Sequence, residues 1–248
     1  MSAWPRGPFL GFDTETTGID VTQDRIVTAA LVERDAAGTR VRTWIIDPGV
    51  EIPAEATAVH GITTERARAE GMDPGLALSQ IADELARAQA RDVPVVAYNA
   101  AYDLAILDHE LRRHGLATLA DRLGRDCMPV IDPLVLDRGL DRYRKGKRKL
   151  GDLCVHYRVA EQADLHTAEV DVVATLDVLA RIAARFPEIA AARLSDLHAW
   201  QVDRHRDWAV SFNAWRTSQG YDGPGANLGW PMPLPDVARA LEPSAQRA

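Results

Sequence analysis

Apolar positions recur along this chain in two periods, which divide it into predicted strands and helices. Short apolar runs and period-two alternation predict strands, and spacing by three or four predicts helices. The predicted strands are Phe9 to Glu15, Arg25 to Glu33, Arg40 to Ile46, Val93 to Tyr98, and Val130 to Val135, which Pro133 interrupts. The predicted helices are Gly75 to Arg91, Tyr102 to His114, Leu150 to Tyr157, Ala168 to Phe186 and Ser195 to Gln219, and Pro48 to Gly61 is predicted to be a loop.

This order of elements predicts the fold class. Strands come first and strands alternating with helices follow, which favours an α/β domain with a mixed central sheet flanked by helices. The pattern places this domain at residues 8–187. Residues 188–248 are expected to form a C-terminal helical extension followed by a tail rich in proline and glycine.

Composition excludes several classes of protein. The chain has 248 residues, 46% hydrophobic and 26% charged, which is typical of a globular protein. No apolar run approaches the ~18 residues of a membrane span, and the N-terminus lacks the layout of a signal peptide, so we expect a cytoplasmic protein. Its two cysteines are too few for a disulfide framework or a four-cysteine zinc site. A net charge of −7 argues against a generally basic nucleic-acid coat, so a polyanion would require a local basic patch.

The segment FDTETTG carries two acids in an otherwise apolar strand. Asp13 and Glu15 are two residues apart, so both side chains point to the same face. They would be ordinary surface acids if that face met solvent. If it is covered, burying two like charges costs several kcal/mol unless a cation compensates them. Carboxylate oxygens are the ligands that hard divalent cations prefer, so the pair is a candidate metal site.

Two further segments add acids and a histidine. In NAAYD, Asp103 lies at the start of a predicted helix that follows a strand, where it could also serve only the helix dipole. In LHTAEVD, His166 is expected in a loop and Asp171 in the first turns of the next helix, beside valines that disfavour a lone charge. Four such carboxylates can hold two Mg²⁺ or Mn²⁺ ions about 3.5–4 Å apart for displacement at phosphorus.

FDTETTG, NAAYD and a histidine five residues before the final Asp (H-x4-D) occur in this order, and VHGIT lies between the first two. Together they resemble the histidine-bearing branch of the DEDD exonuclease superfamily, over roughly residues 8 to 187. The epsilon proofreading subunit of bacterial replicative DNA polymerase and its stand-alone relatives are the nearest likeness. The resemblance implies a ribonuclease-H-like fold and 3′–5′ release of 5′-mononucleotides by two metal ions.

Roles for individual residues follow from the same resemblance. Asp13, Glu15, Asp103 and Asp171 would be the metal ligands, and His166 would be the general base. Thr16 and His60 would line the pocket of the terminal nucleotide, Tyr102 could stack on a base, and Asn99 would hold its segment in place. DNA is the expected substrate, with RNA or short oligonucleotides, or a non-catalytic module accessory to a polymerase, as alternatives.

Two features lie outside these motifs. Residues 138–149 contain seven cations and one acid, including all three lysines of the chain, Lys145, Lys147 and Lys149. This segment is either a solvated loop or a phosphate track that leads to the acidic pocket. The last predicted helix carries an aromatic stripe, Trp200, Trp208, Phe212 and Trp215, which either packs onto the domain or docks a partner such as a polymerase subunit.

Overall fold

A computed structural model describes residues 4–159 and 167–234, which form a mixed five-stranded sheet covered by helices. The strand order is β3-β2-β1-β4-β5. β1 pairs antiparallel with β2 and parallel with β4, and β4 pairs parallel with β5. The strands are β1 Phe9–Thr16, β2 Ile26–Asp35, β3 Gly38–Ile45, β4 Val95–Val96 and β5 Val130–Ile131. The expected mixed α/β sheet, with its β2–β3 hairpin, is confirmed.

Helices cover both faces of this sheet. They are α1 Ala54–His60, α2 Thr64–Glu70, α3 Pro74–Gln89, α4 Ala100–Arg113, α5 Leu119–Leu123, α6 Pro133–Leu140, α7 Leu150–Tyr157, α8 Ala168–Arg185, α9 Pro187–Ala191 and α10 Leu194–Ser218. Period-two alternation in the strands separates two cores. Leu10 and Phe12 of β1 pack towards α3 and α4, while Phe9 packs with the side chains of α7 and α8. In the described part of the chain, no helix is both long enough and apolar enough to cross a bilayer.

Two sequence predictions are wrong in instructive ways. The strand expected over Val130 to Val135 ends at Ile131, because Asp132 accepts a hydrogen bond from the Leu134 amide and Pro133 opens α6. The loop expected over Pro48 to Gly61 contains α1, which ends at Gly61 in the left-handed conformation (φ 74°). A proline at the first helical position and a glycine just after the last are ordinary helix boundaries.

One glycine brings α8 against β1. A Cβ on Gly11 would lie 2.3 Å from Cγ1 of Val172, so no larger residue fits here without moving the helix. Gly11 shares its strand face with Asp13, and Val172 follows Asp171. The close approach therefore brings the acid of α8 to the acids of β1.

The first half of α10 covers the edge strand β5. Oε1 of Gln201 accepts from the Asp132 amide at 2.8 Å, and its Nε2 donates to the Val130 carbonyl at 3.0 Å. Nδ1 of His198 accepts from the Val130 amide at 3.1 Å. Side chains of the helix thus satisfy backbone groups that a sheet edge would leave open. The expectation that this helix packs back onto the domain is confirmed for its N-terminal half.

Candidate active site

Three carboxylates meet where the C-terminal half of β1 faces the start of α8. Asp13, Glu15 and Asp171 each offer an oxygen, and these oxygens all lie within 4.8 Å of one another. Asp13 and Glu15 share a face because they are two apart on the strand, as their spacing predicts. The three acids therefore form one candidate ligand set.

Asp103 reaches the same strand from the first turn of α4. Its Oδ1 accepts from the amide of Thr14 at 3.0 Å and from the Thr14 hydroxyl at 2.8 Å. The carboxylate is buried and is held against Thr14, which lies between Asp13 and Glu15 in the strand. Asp103 is thus part of the acidic site, although it lies outside the set of three oxygens.

Ionised carboxylates in this site are energetically unfavourable without a bound cation. Burial first, and then the charges of Asp103, Glu15 and Asp171, hold the pKa of Asp13 well above its ordinary value. Burial, followed by the neighbouring carboxylates, raises the pKa of Glu15 to about 8. Burial also raises the pKa of Asp103 to about 7, against the hydrogen bonds from Thr14 that lower it. An added positive charge would reverse these shifts.

The donor set suits a hard divalent cation. All of its donors are carboxylate oxygens, which Mg²⁺ and Mn²⁺ prefer. Within residues 4–159 and 167–234, no arginine or lysine forms an ion pair with Asp13, Glu15 or Asp103, so the chain's own cations do not neutralise them there. The residues present therefore fit the divalent metal that the sequence predicts.

Beside the acids, a hydrogen-bonded group holds the end of β1. The Tyr102 hydroxyl lies 2.7 Å from Oγ1 of Thr16 and donates to the Gly18 carbonyl at 2.6 Å. Burial raises the pKa of Tyr102 to about 12, so its hydroxyl stays protonated. His60 is buried, with Nδ1 accepting from the Ile62 amide, and burial lowers its pKa, against the effect of the nearby Thr16 backbone. The structure thus brings Thr16, Tyr102 and His60 together next to the acids.

Asn99 acts through its backbone. It precedes α4 in the left-handed conformation (φ 61°), and its side chain makes no capping hydrogen bond. Its amide donates to Oδ1 of Asp132 at 3.0 Å, and the Ala100 amide donates to Oδ2, also at 3.0 Å. The sharp entry into α4 places Asp103 in the first turn. His166, the expected base, lies outside the described residues.

With this geometry in view, comparison with known proteins identifies the family. The RNase T family model, described as exonuclease, matches residues 10–179. The chain belongs to this exonuclease family.

Several relatives of this chain are named for DNA polymerase III. It is 33% identical over 217 residues to a DNA polymerase III subunit epsilon-like protein of Rhodobacter capsulatus, covering 83% of this chain and 28% of that protein. It is 30% identical over 163 residues to the DNA polymerase III epsilon subunit of Rickettsia conorii, covering 64% and 66%. Identity to a PolC-type DNA polymerase III of Lacticaseibacillus paracasei is 28%, over 67% of this chain and 11% of that protein. The chain thus spans about a tenth of the length of the PolC-type relatives.

Solved exonuclease structures share the fold. Exonuclease I of Methylocaldum szegediense superimposes with a TM-score of 0.58 at 24% identity, covering 73% of this chain and 41% of that one. E. coli exonuclease I in complex with a dA16 oligonucleotide gives a TM-score of 0.64 at 19% identity, covering 80% and 43%. The expected ribonuclease-H-like exonuclease fold is confirmed.

The sequence prediction missed two acids that support the acidic site. Asp132 anchors the amides of Asn99, Ala100 and Leu134, and its Asp-Pro dipeptide is a helix-start signal that could have revealed this role. Asp137 is completely buried between Arg144 and Arg148, and Tyr157 donates to it at 2.8 Å. No local pattern distinguishes Asp137 from a surface acid, because its partners come from the following segment.

The basic segment lies on this buried anchor. Arg144 and Arg148 point inward to Asp137, while Lys145, Lys147 and Lys149 are exposed. The Tyr98 hydroxyl donates to the Arg148 carbonyl at 2.6 Å, and Tyr98 directly precedes Asn99. The segment is therefore tied to the strand end from which α4 carries Asp103.

Proposed function

We propose that this protein is a metal-dependent 3′–5′ exonuclease that hydrolyses single-stranded or mispaired DNA ends to 5′-mononucleotides. The observation that carries the proposal is the convergence of Asp13, Glu15 and Asp171, with Asp103 beside them, in a member of an exonuclease family. The acid set is intact, which argues against a non-catalytic binding module. The catalytic unit is proposed to be residues 8–187.

The four carboxylates would hold two Mg²⁺ or Mn²⁺ ions, which supply Lewis acidity at the scissile phosphate and stabilise charge on the leaving 3′ oxygen. His166 is proposed to take the proton from the attacking water, because an imidazole with a pKa near neutrality can accept it. Asp103, held rigidly by Thr14, keeps its carboxylate in place during the reaction.

The residues next to the acids are proposed to receive the terminal nucleotide. Thr16 and His60 would line its pocket, and the ring of Tyr102 would stack on its base while its hydroxyl stays tied to Gly18. Lys145, Lys147 and Lys149 would pair with phosphates of the strand. Solved E. coli exonuclease I carries a bound oligonucleotide, which supports a single strand as the substrate here.

Relatives that belong to DNA polymerase III support a polymerase subunit as a partner in the cytoplasm. Pull-down of purified polymerase subunits with the full chain would test this part of the proposal. Failure to capture one would favour a stand-alone exonuclease.

The deciding experiment uses 5′-labelled single-stranded DNA and matched RNA with Mg²⁺ or Mn²⁺. We expect a ladder that shortens from the 3′ end and is absent for Asp13→Ala, which removes a ligand. Preference for RNA would replace DNA by RNA or short oligonucleotides as the substrate. Full activity in a folded Asp13→Ala protein would overturn the metal assignment.

Two variants separate chemistry from binding. His166→Ala should lower kcat with little change in KM, and a pure KM effect would contradict its role as base. Replacing all three lysines by alanine should weaken DNA binding and reduce the salt slope by about 2, at roughly 0.7 per phosphate contact. An unchanged salt slope would indicate that the lysines face solvent and do not contact phosphates.

A further inference from the structure

The second half of α10 carries a row of aromatic rings that is half-buried at Trp208 and Phe212 and exposed at its far end. Trp208 and Phe212 stack with centroids 5.3 Å apart, and Trp215 follows at 5.8 Å. Tyr221, just beyond the helix, continues the row at 5.7 Å from Trp215. Trp215 is 51% exposed and Tyr221 is 57% exposed. Burial in the core therefore does not account for this end of the row.

Arginines lie against these rings. The Arg138 guanidinium carbon sits 3.7 Å above the Trp208 ring centroid, and that of Arg216 lies 5.6 Å from the Tyr221 centroid. From the basic segment, Arg142 Nη2 lies 3.4 Å from Oγ of Ser211 on α10. The aromatic row and the basic segment therefore form one surface, which we call the aromatic–basic face.

The basic segment adds an exposed ring of its own. Tyr143 is 87% exposed, with the Arg142 guanidinium carbon 5.9 Å from its ring centroid. Residues 138–149 carry a net charge of +6 within a chain of −7, so positive charge is concentrated here. The Tyr98–Arg148 hydrogen bond connects the same segment to the acidic site. One end of the face is thus tied to the strand end from which α4 carries Asp103.

The aromatic rings and cations of the aromatic–basic face indicate which kind of partner it binds. Exposed rings beside arginines suit unpaired bases, because every base offers a face for stacking and guanidinium groups bind phosphate. An apolar protein helix would instead leave the exposed Lys145, Lys147 and Lys149 without counter-charges. We propose that the aromatic–basic face binds the part of a single-stranded nucleic acid that lies upstream of its 3′ end, with bases on Tyr143, Trp215 and Tyr221. The proposal rests on the exonuclease function proposed above.

The test measures binding in the Asp13→Ala background, so that the strand is not degraded. Fluorescence anisotropy compares a DNA strand of about 20 nucleotides with one of about three, which is too short to extend beyond the acidic site. Stacking is worth about 1 kcal/mol or more per base, so Trp215→Ala with Tyr221→Ala should weaken binding of the long strand by roughly 30-fold or more. The short strand should lose less than about twofold.

Two controls isolate the stacking. Val210→Ala alters an exposed residue (53%) on the opposite side of the same helix, and it should leave the affinity for the long strand unchanged. Trp215→Phe keeps a ring and should retain most of the affinity. All of the altered residues are at least half exposed, and equal unfolding temperatures would confirm that the fold is intact.

Equal loss for long and short strands, or no loss for either, would overturn the proposal. If neither strand lost affinity, the aromatic–basic face would be assigned to a protein partner instead. Since binding is read without turnover, this result is independent of the exonuclease assay. A wild-type protein that shortens DNA while the ring variants bind normally would refute only the aromatic–basic face. Loss of binding with no cleavage by the wild type would refute only the catalytic proposal.

Discussion

Two sets of carboxylates in this protein differ in how their negative charge is compensated. Asp137 has two arginines and a tyrosine hydroxyl around it, all supplied by the same chain. Asp13 is surrounded by other carboxylates, which add to the cost of its burial. Asp137 is thus paired by arginines of the chain, whereas within residues 4–159 and 167–234 no arginine or lysine pairs with Asp13, Glu15 or Asp103.

This difference separates a structural acid from the candidate functional acids. Burial alone does not mark an active site, because Asp137, outside the site, is buried just as Asp103 within it is. The distinguishing observation is the sign of the neighbouring charges, since carboxylates crowded together without a compensating charge reduce stability. Asp137 fixes the shape of the basic segment, and Asp13, Glu15 and Asp171 are proposed to bind divalent ions.

The largest expected effect comes from breaking the completed cluster. Asp137→Ala leaves Arg144 and Arg148 buried without their partner, which should lower the free energy of unfolding by about 3–5 kcal/mol. Denaturant unfolding would measure it, with Asp141→Ala at the end of the same helix as the control. A loss below about 1 kcal/mol would mean that the arginines find water or other acceptors.

The acidic cluster should make stability depend on pH. The pKa of Glu15 rises from 4.5 to about 8 on folding, and that of Asp103 rises from 3.8 to about 7. The folded protein therefore binds more protons than the unfolded chain. This stability is fully present below about pH 4 and is lost as the pH rises through 7 to 8.

In the presence of a chelator, we expect this cluster to lower the free energy of unfolding by on the order of 2–3 kcal/mol across that pH range. Thermal unfolding at several pH values would measure the loss. Comparison with Glu15→Gln, which lacks the carboxyl whose pKa rises to about 8, separates this contribution from that of the other titrating groups. Excess Mg²⁺ should flatten the wild-type curve. The same slope in Glu15→Gln as in the wild type, with or without Mg²⁺, would contradict the assignment.

Removing one charge from the acidic cluster should stabilise the metal-free protein. Burial, and then repulsion by Asp171 and Asp103, raise the pKa of the Glu15 carboxyl to about 8, so at pH 8 Glu15→Gln should add about 1–2 kcal/mol to the free energy of unfolding. The gain should vanish when the wild type is saturated with Mg²⁺, because only the wild type then keeps its full ligand set. Destabilisation in chelator would indicate that Glu15 already has a partner.

The sequence alone predicted the acids of the acidic cluster better than the contacts that position them. Period-two alternation put Asp13 and Glu15 on one face, and Asp171 in the first turn of a helix was also correct. The site depends further on Gly11, whose missing side chain admits α8, and on Asp132, which holds the entry to α4. These are contacts between distant segments, and local periodicity carries no information about them. The same reason explains why Asp137 escaped notice.

The smallest expected effect concerns how the acidic cluster is positioned. Asn99 adopts the left-handed conformation, which costs an ordinary L-residue about 1–2 kcal/mol and costs glycine little. Asn99→Ala should therefore destabilise the protein by about 1 kcal/mol, and Asn99→Gly should stay within about 0.5 kcal/mol of the wild type. Chemical unfolding and kcat should follow the same order, because the turn places Asp103. If glycine and alanine cost the same, the amide side chain rather than the backbone would hold the segment.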